Sequence, residues 1–247
     1  MKAVLRSTFI CCMRILRKLA AAIGLLGFLE RRRANRWCLW LRSLFAIYDF
    51  EDLCRVDLPW WTLESADIIE RFLKNRAAAR VFEYGSGAST VWLANRAAEV
   101  ISVEHDADWA AEVQDALIAI GAHARVHCVP AQPASPNTDP RHRSARDGYE
   151  GLDFGTYVNS INDHEGRFDL IIIDGRCRAA CLTPAIEKVK PDGLLLFDNS
   201  ARQRYRRAIE GCGLARLDTR GLTACLPYPD QTTLLSPSSE VIAGLRS

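Results

Sequence analysis

The stretch VFEYGSGAST, residues 81–90, passes from an apolar run into a glycine-rich turn with an acid just ahead of it. A short apolar strand ending in such a turn, followed by the helical pattern STVWLANRA (89–97), opens a βα unit. Gly85 and Gly87 let the chain turn sharply and let a ligand approach the backbone. Ser86, Ser89 and Thr90 read either as ligand contacts or as caps of the following helix. The next apolar run, VISVE (100–104), ends at Glu104, nineteen residues after Gly85, where a carboxylate can accept hydrogen bonds from both hydroxyls of a ribose.

Working outward, the same alternation continues in both directions. Upstream, residues 62–74 carry an apolar face at helical spacing. Downstream come a helix over 106–120 with acids in its first turn and Gly121 as its stop signal, and a strand over 124–129. A Pro-, Ser-, Arg- and Asp-rich loop fills 130–153, and a helix is marked by Phe154, Tyr157, Val158 and Ile161. The strand 168–173 ends at Asp174. A helix beginning at Thr183-Pro184 leads to the strand 194–197, which ends at Asp198. A helix over 201–210 and two closing strands, 215–223 and 231–236, complete the chain. Short, uniformly apolar strands between helices predict a parallel sheet covered on both faces, a Rossmann-like doubly wound α/β domain of seven strands. About half the residues are apolar (49%) and a quarter charged (25%), the balance of an ordinary globular domain.

In such sheets the ligand lies beyond the carboxyl ends of the strands, near the point where the strand order reverses, and the glycine turn is placed there. Two nucleotide-type ligands suit it. The dinucleotide motif G-x-G-x-x-G requires a third glycine where this chain has Thr90. A pyrophosphate is also disfavoured by Glu83, two residues before Gly85, whereas a ligand carrying an ammonium and a sulfonium is favoured by it. S-adenosylmethionine has both cations, so the electrostatics favour it over NAD.

The pattern E-x-G-x-G after the first strand, with an acid ending the second, resembles the class I S-adenosylmethionine-dependent methyltransferases. Four segments resemble a bacterial branch of that family: PWW (59–61), EYGSGASTVWLA (83–94), IIDGRCRAAC (172–181) and LLLFDNSARQRY (194–205). The likeness covers roughly residues 56–235. It implies a seven-stranded sheet with the last strand antiparallel and S-adenosylmethionine as cofactor. It implies that Glu83, Gly85, Ser86, Gly87 and Ser89 line the methionine part of that cofactor, with Ser89 standing where the family commonly has a third glycine. Glu104 would hold the ribose, with His105 beside it near the adenine. Asp174 would face the methyl group and the substrate.

Methyl transfer to a hydroxyl needs a group to take the proton, and Asp174 is the first candidate, its alternative being a loop cap before Gly175. Asp198-Asn199-Ser200 reads as a cap of the helix beginning near 201. Arg176 and Arg178, with Arg202, Arg204, Arg206 and Arg207, suggest a basic rim suited to an acidic substrate such as a uronic acid or phosphorylated glycan. For Arg206 and Arg207 the preferred reading is a solvated helix face. Trp60 and Trp61 either stack on a sugar or adenine or belong to the core. The expected activity is O-methylation of a small molecule or glycan. The rivals are an aminopropyl transferase, disfavoured by the bases of loop 130–153, an NAD-linked oxidoreductase, and a catalytically silent binding domain.

Charge is segregated along the chain. Residues 1–42 hold ten Lys or Arg and one acid, and the remainder holds twenty-two bases and twenty-nine acids. A basic arm (1–55) therefore precedes a mildly acidic domain (56–247), which argues against a nucleic-acid partner for the domain. The arm's uninterrupted apolar run, LAAAIGLLGFL (19–29), is shorter than the roughly 20 residues a bilayer span needs. It reads as an amphipathic helix with Phe9, Ile10, Met13, Leu16, Ala20 and Ile23 on one side, resting on a membrane surface or on the domain. A secretory signal is a further reading, opposed by Glu30 and Arg31 to Arg33 where a cleavage site would stand. A second helix, 35–49, is expected to dock on the domain. Nine irregularly spaced cysteines fit a reduced, cytoplasmic protein, and the C-x3-C pair Cys177 and Cys181 reads as incidental thiols, with no metal expected.

Overall fold

The computed structural model describes residues 2–144 and 146–246, with the side chains of residues 2–7, 9 and 10 outside the description. Seven strands form one sheet: β1 (Arg80–Tyr84), β2 (Glu99–Glu104), β3 (Ala124–Cys128), β4 (Phe168–Ile173), β5 (Val189–Phe197), β6 (Ala215–Gly221) and β7 (Asp230–Ser236). Their order across the sheet is 3-2-1-4-5-7-6. β1 to β5 run parallel, and β7 is antiparallel to both β5 and β6. The order reverses between β1 and β4, which makes the carboxyl ends of those strands the place for a ligand.

The central strands are short because they are apolar on both faces. Every residue of β4 is buried, and so are the last four of β1. Helices cover both faces. On one side α5 (Leu63–Lys74), α6 (Ala88–Ala94) and α7 (Ala107–Ala119) pack through Ile69, Leu93 and Leu117. On the other, α8 (Gly155–Asn159), α9 (Arg178–Lys188) and α10 (Gln203–Glu210) pack through Tyr157, Cys181 and Ile209, while α11 (Ser239–Gly244) joins the first side through Ile242. Caps set the helix starts: Thr62 Oγ1 accepts the Ser65 amide and Asp106 Oδ1 the Trp109 amide.

Several elements differ from the sequence reading. β5 starts at Val189, before the apolar run 194–197, because Lys190 to Gly193 continue the strand through a shift of register against β4. Helix α9 begins at Arg178 rather than at Pro184, which lies inside it. The turn Gly175-Arg176-Cys177, with Cys177 at a φ of 49°, starts the helix earlier than the proline signal indicates. The loop 130–153 is partly organised: residues 132–133 pair with 152–153, and a 3-10 turn spans Pro140–His142.

The arm is folded onto the domain as four helices, α1 (Lys2–Ala22), α2 (Leu25–Arg31), α3 (Arg36–Leu44) and α4 (Phe50–Val56). The expected helix 35–49 ends at Leu44, because a turn at 45–48 redirects the chain. Arg42 is fully buried at this bend, with its guanidinium on Asp52 at 2.6 and 2.9 Å and on Glu30 at 2.7 Å. The expected apolar side of α1 is divided. Met13 and Ala20 are buried, Leu16 and Ile23 are exposed, and Phe9 and Ile10 lie outside the described side chains. Among the described residues no helix is long and apolar enough to cross a membrane.

Candidate active site

β1 ends in the glycine turn and β4 ends in Asp174-Gly175, and the two turns touch. Gly85 has a φ of +94°, and a Cβ there would lie 2.7 Å from the Gly175 Cα. A Cβ on Gly175 would lie 1.9 Å from the Tyr157 hydroxyl oxygen. Both positions therefore exclude any side chain, Gly85 by backbone conformation and by space, Gly175 by space alone. This close approach leaves a cavity of about 560 Å³ at the carboxyl ends of β1, β2 and β4.

Glu104 forms one wall. It is 4% exposed, and its Oε1 accepts the amides of His105 at 2.7 Å and Asp106 at 3.1 Å, with His105 Nδ1 against the same oxygen. Its Oε2 takes only the Ser86 amide, at 3.1 Å, among the described residues, so that oxygen keeps acceptor capacity for a ligand hydroxyl. The Ser86 hydroxyl is buried without a partner among the described residues. Ser86, with Gly85, Gly87 and Ser89, lines the cavity. A buried orphan hydroxyl and a half-used carboxylate at one wall fit a ligand with both donors and acceptors.

Glu83 lies beneath the loop rather than in the cavity. It is fully buried and accepts hydrogen bonds from Ser89 Oγ and Thr90 Oγ1, both at 2.5 Å, and from Ser102 Oγ at 2.9 Å. Burial pushes its carboxyl up to about 7, the three hydroxyl donors oppose this, and nearby Glu104 adds to it. Its structural effect is to tie the first turn of α6 to β1 and β2.

Asp174 lines the same cavity as Glu104. Its Oδ1 is 2.6 Å from Arg178 Nη2, and its Oδ2 accepts Trp61 Nε1–H at 3.3 Å. Burial raises its carboxyl above the ordinary aspartate value, with Arg178 opposing. The same Arg178 donates to the Asp198 carbonyl at 2.6 Å and approaches its carboxylate at 3.4 Å. Asp198 is thus a buried partner of Arg178 and not the expected helix cap. α10 starts at Gln203 behind Arg202, which makes no side-chain cap bond. Burial pushes Asp198 up to about 8, and the adjacent Asp174 adds to this.

His105 and Arg176 also line the cavity, and Arg176 Nε–H donates to His105 Nε2 at 3.2 Å. That bond makes Nε2 an acceptor and leaves the ring proton on Nδ1, facing Glu104. Trp60 lines the cavity, whereas Trp61 is core, fully buried against Trp92 at 5.8 Å between ring centroids. Arg202 and Arg204 line an adjoining cleft, while Arg206 lines a separate one. The sequence reading missed the contribution of the arm: Tyr48, Asp49, Phe50 and Leu53 close the cavity, with Phe50 against Trp109 at 5.2 Å. It also missed Tyr149, whose ring lies under Arg176 at 4.7 Å. A lone aromatic in a polar loop gives no periodic signal to find. Among the described residues no group of three or more His, Cys, Asp or Glu is arranged to hold a metal, and all nine cysteines are free.

No protein-family model matches the sequence, and no curated protein matches it. Solved structures do resemble the fold. An O-methyltransferase from Bacillus cereus, in complex with SAH, superimposes with a TM-score of 0.55 at 15% identity, over 76% of this chain and 90% of its own. A methyltransferase-like protein from Silicibacter pomeroyi aligns at 23% identity over 74% of this chain and 92% of its own, with a TM-score of 0.47. Strand order, the reversed β7 and the superposition on the Bacillus enzyme agree: the chain has the fold of the class I S-adenosylmethionine-dependent methyltransferases.

Proposed function

We propose that the protein is an S-adenosylmethionine-dependent methyltransferase acting on an oxygen of a small molecule or glycan. The observation that carries this reading is the unit formed by Glu104 and the glycine turn. The acid ending β2 takes the Ser86 amide and still has a free acceptor site on a cavity at the switch point. The bound SAH of the Bacillus structure supports the same cofactor class here. Glu104 would hold the ribose hydroxyls. Gly85, Ser86, Gly87 and Ser89 would border the methionine part, with His105 toward the base and Glu83 fixing the first turn of α6 from beneath. Bound there, S-adenosylmethionine supplies an electrophilic methyl group.

The remaining work falls to this chain's own residues. Asp174 is placed to accept the proton of an acceptor hydroxyl, and Trp61 and Arg178 hold its two oxygens in place. Burial raises both the Asp174 and the Asp198 carboxyls, and Arg178, between the two, opposes the rise in each. Tyr48, Phe50 and Trp60 narrow access to water on the arm side.

Calorimetric titration of the full chain tests this reading. SAH and S-adenosylmethionine should bind and NAD should not. Glu104→Gln should weaken SAH about 10- to 100-fold, the value of a charged hydrogen bond. Absence of binding by both sulfur ligands would remove the methyltransferase reading. A second reading, a silent domain held at a membrane by its arm, is favoured by the apolar side chains α1 leaves in solvent, Ile15 at 57% and Leu19 at 60% exposure. Binding of SAH that is not followed by methyl transfer to any acceptor would move the weight there.

A further inference from the structure

We propose that the acceptor is an anionic small molecule whose phosphate or carboxylate group sits in the arginine-lined cleft beside the cavity. This deepens the methyltransferase reading and rests on it. The cleft has a volume of about 340 Å³. Its walls bring together Arg141, Arg143 and Arg146 from loop 130–153, Arg176 after β4, and Arg202 and Arg204 before and within the first turn of α10. Among the described residues no Asp or Glu lines it.

Of these six arginines only Arg141 makes an ion pair among the described residues, with Asp139 at 2.6 Å, while a seventh lining arginine, Arg178, pairs with Asp174 and Asp198. Arg143 donates to the Ser135 carbonyl, Arg204 to the Tyr205 hydroxyl and Arg176 to His105, all neutral acceptors. Five guanidinium groups without an ion pair among the described residues thus converge from three segments distant in sequence, Arg202 alone acting at longer range on Asp174. Residues 43–247 as a whole carry more acids than bases, so this concentration does not follow from a generally basic surface. Like charges brought together repel, and an oxyanion removes that penalty while offering acceptors that match the guanidinium fork. Three of the five are already oriented by stacking, Arg176 and Arg146 over Tyr149 at 4.7 and 5.8 Å and Arg204 over Tyr205 at 4.8 Å, so less freedom is lost on binding.

The cleft shares Arg146, Gly175, Arg176 and Arg178 with the main cavity. An acceptor anchored by its anion therefore lies beside Arg178, whose guanidinium touches Asp174 at 2.6 Å. Anchor and proton acceptor are one side chain apart, a separation suited to a hydroxyl and an acidic group on a single sugar or similar small skeleton. The cleft's small volume and the domain's net negative charge favour such a molecule over a nucleic-acid strand.

The test titrates the full chain at low ionic strength with inorganic phosphate, glucuronate and uncharged glucose, and in parallel with SAH. Phosphate or glucuronate should bind and glucose should not, the tighter of the two oxyanions naming the group. The double variant Arg202→Ala/Arg204→Ala, on exposed side chains, should weaken the oxyanion at least tenfold and leave SAH unchanged. Arg143→Ala should weaken it independently. If SAH binds but neither oxyanion does, or if the variants leave oxyanion binding intact, the cleft is not the acceptor site. A short RNA oligomer that binds more tightly and loses its affinity in the double variant would overturn the small-molecule assignment. Oxyanion binding that behaves as expected beside a failure to bind SAH would defeat the methyltransferase reading, and the acceptor role with it.

Discussion

Glu83 occupies a position that a surface view of the site would not find. Its carboxyl, ordinarily near 4.5, is held at about 7 by burial under the glycine turn. Between those two values the folded protein keeps a proton that the unfolded chain has released, so stability falls as pH rises through that window. The full shift corresponds to a loss on the order of 3 kcal/mol by pH 7. Glu83→Gln abolishes this titration, so the difference between wild-type and variant melting temperatures should change steadily from pH 4.5 to 7 and then level off. A difference constant across that range would show that Glu83 does not titrate there. Gly175 offers a steric counterpart. Gly175→Ala puts a methyl group on the Tyr157 hydroxyl and crowds the Gly85 amide. We expect a loss of about 1–3 kcal/mol in denaturant unfolding together with weakened SAH binding. Tyr157→Phe in the same chain should restore part of both, and an equal loss in the double variant would place the strain elsewhere.

At the scale of elements, the strands and the glycine turn are legible in the sequence because they are apolar runs that end abruptly in an acid or a glycine. β1, β4 and β7 lie within a residue of where that pattern puts them. Glu104, Ser86 and Asp174 are legible for the same reason, since strand ends in a doubly wound sheet point at one site. Side-chain direction is less so. Glu83 and Trp61 face inward because the hydroxyls of Ser89, Thr90 and Ser102 and the ring of Trp92 are there to receive them, and none of those partners announces itself locally. The bend between α3 and α4 is hidden too, because it depends on Arg42 meeting Asp52 and Glu30 across ten and twelve residues. Removing one member of a buried ion pair strands the other, so Arg42→Ala should cost about 3–5 kcal/mol in urea unfolding. Because α4 carries Phe50 and Leu53 into the cavity wall, the variant should also weaken SAH binding. Replacing Arg42 and Asp52 together by leucine should cost much less. If Arg42→Ala leaves both stability and SAH affinity unchanged, the arm neither relies on this pair nor walls the site.

For the molecule as a whole, the two ends of the charge distribution have different tasks. The excess of acids lies in the α/β domain and the excess of bases in the arm. On α1 the buried stripe, Met13 and Ala20, faces α2 to α4, while Ile15, Leu16 and Leu19 stand in solvent beside the exposed Arg14 and Lys18 and are continued by Ile23 just past the helix end. An exposed apolar stripe with cations along one side is a pattern suited to a helix lying on an anionic lipid surface, with each basic residue near the surface contributing about 1 kcal/mol. One face of α1 packs on the rest of the arm, and the outer face is left as a candidate lipid contact. Sedimentation with vesicles tests this directly. The full chain should associate with vesicles containing phosphatidylserine and much less with phosphatidylcholine alone, and the association should fall as salt is raised. Leu19→Glu/Ile23→Glu places acids on the exposed stripe without touching the buried one, and should reduce vesicle binding at least tenfold while leaving SAH affinity unchanged. If the wild-type chain stays in the supernatant with anionic vesicles at low salt, the outer face of α1 is no lipid contact, and the arm serves only to complete the wall of the cavity.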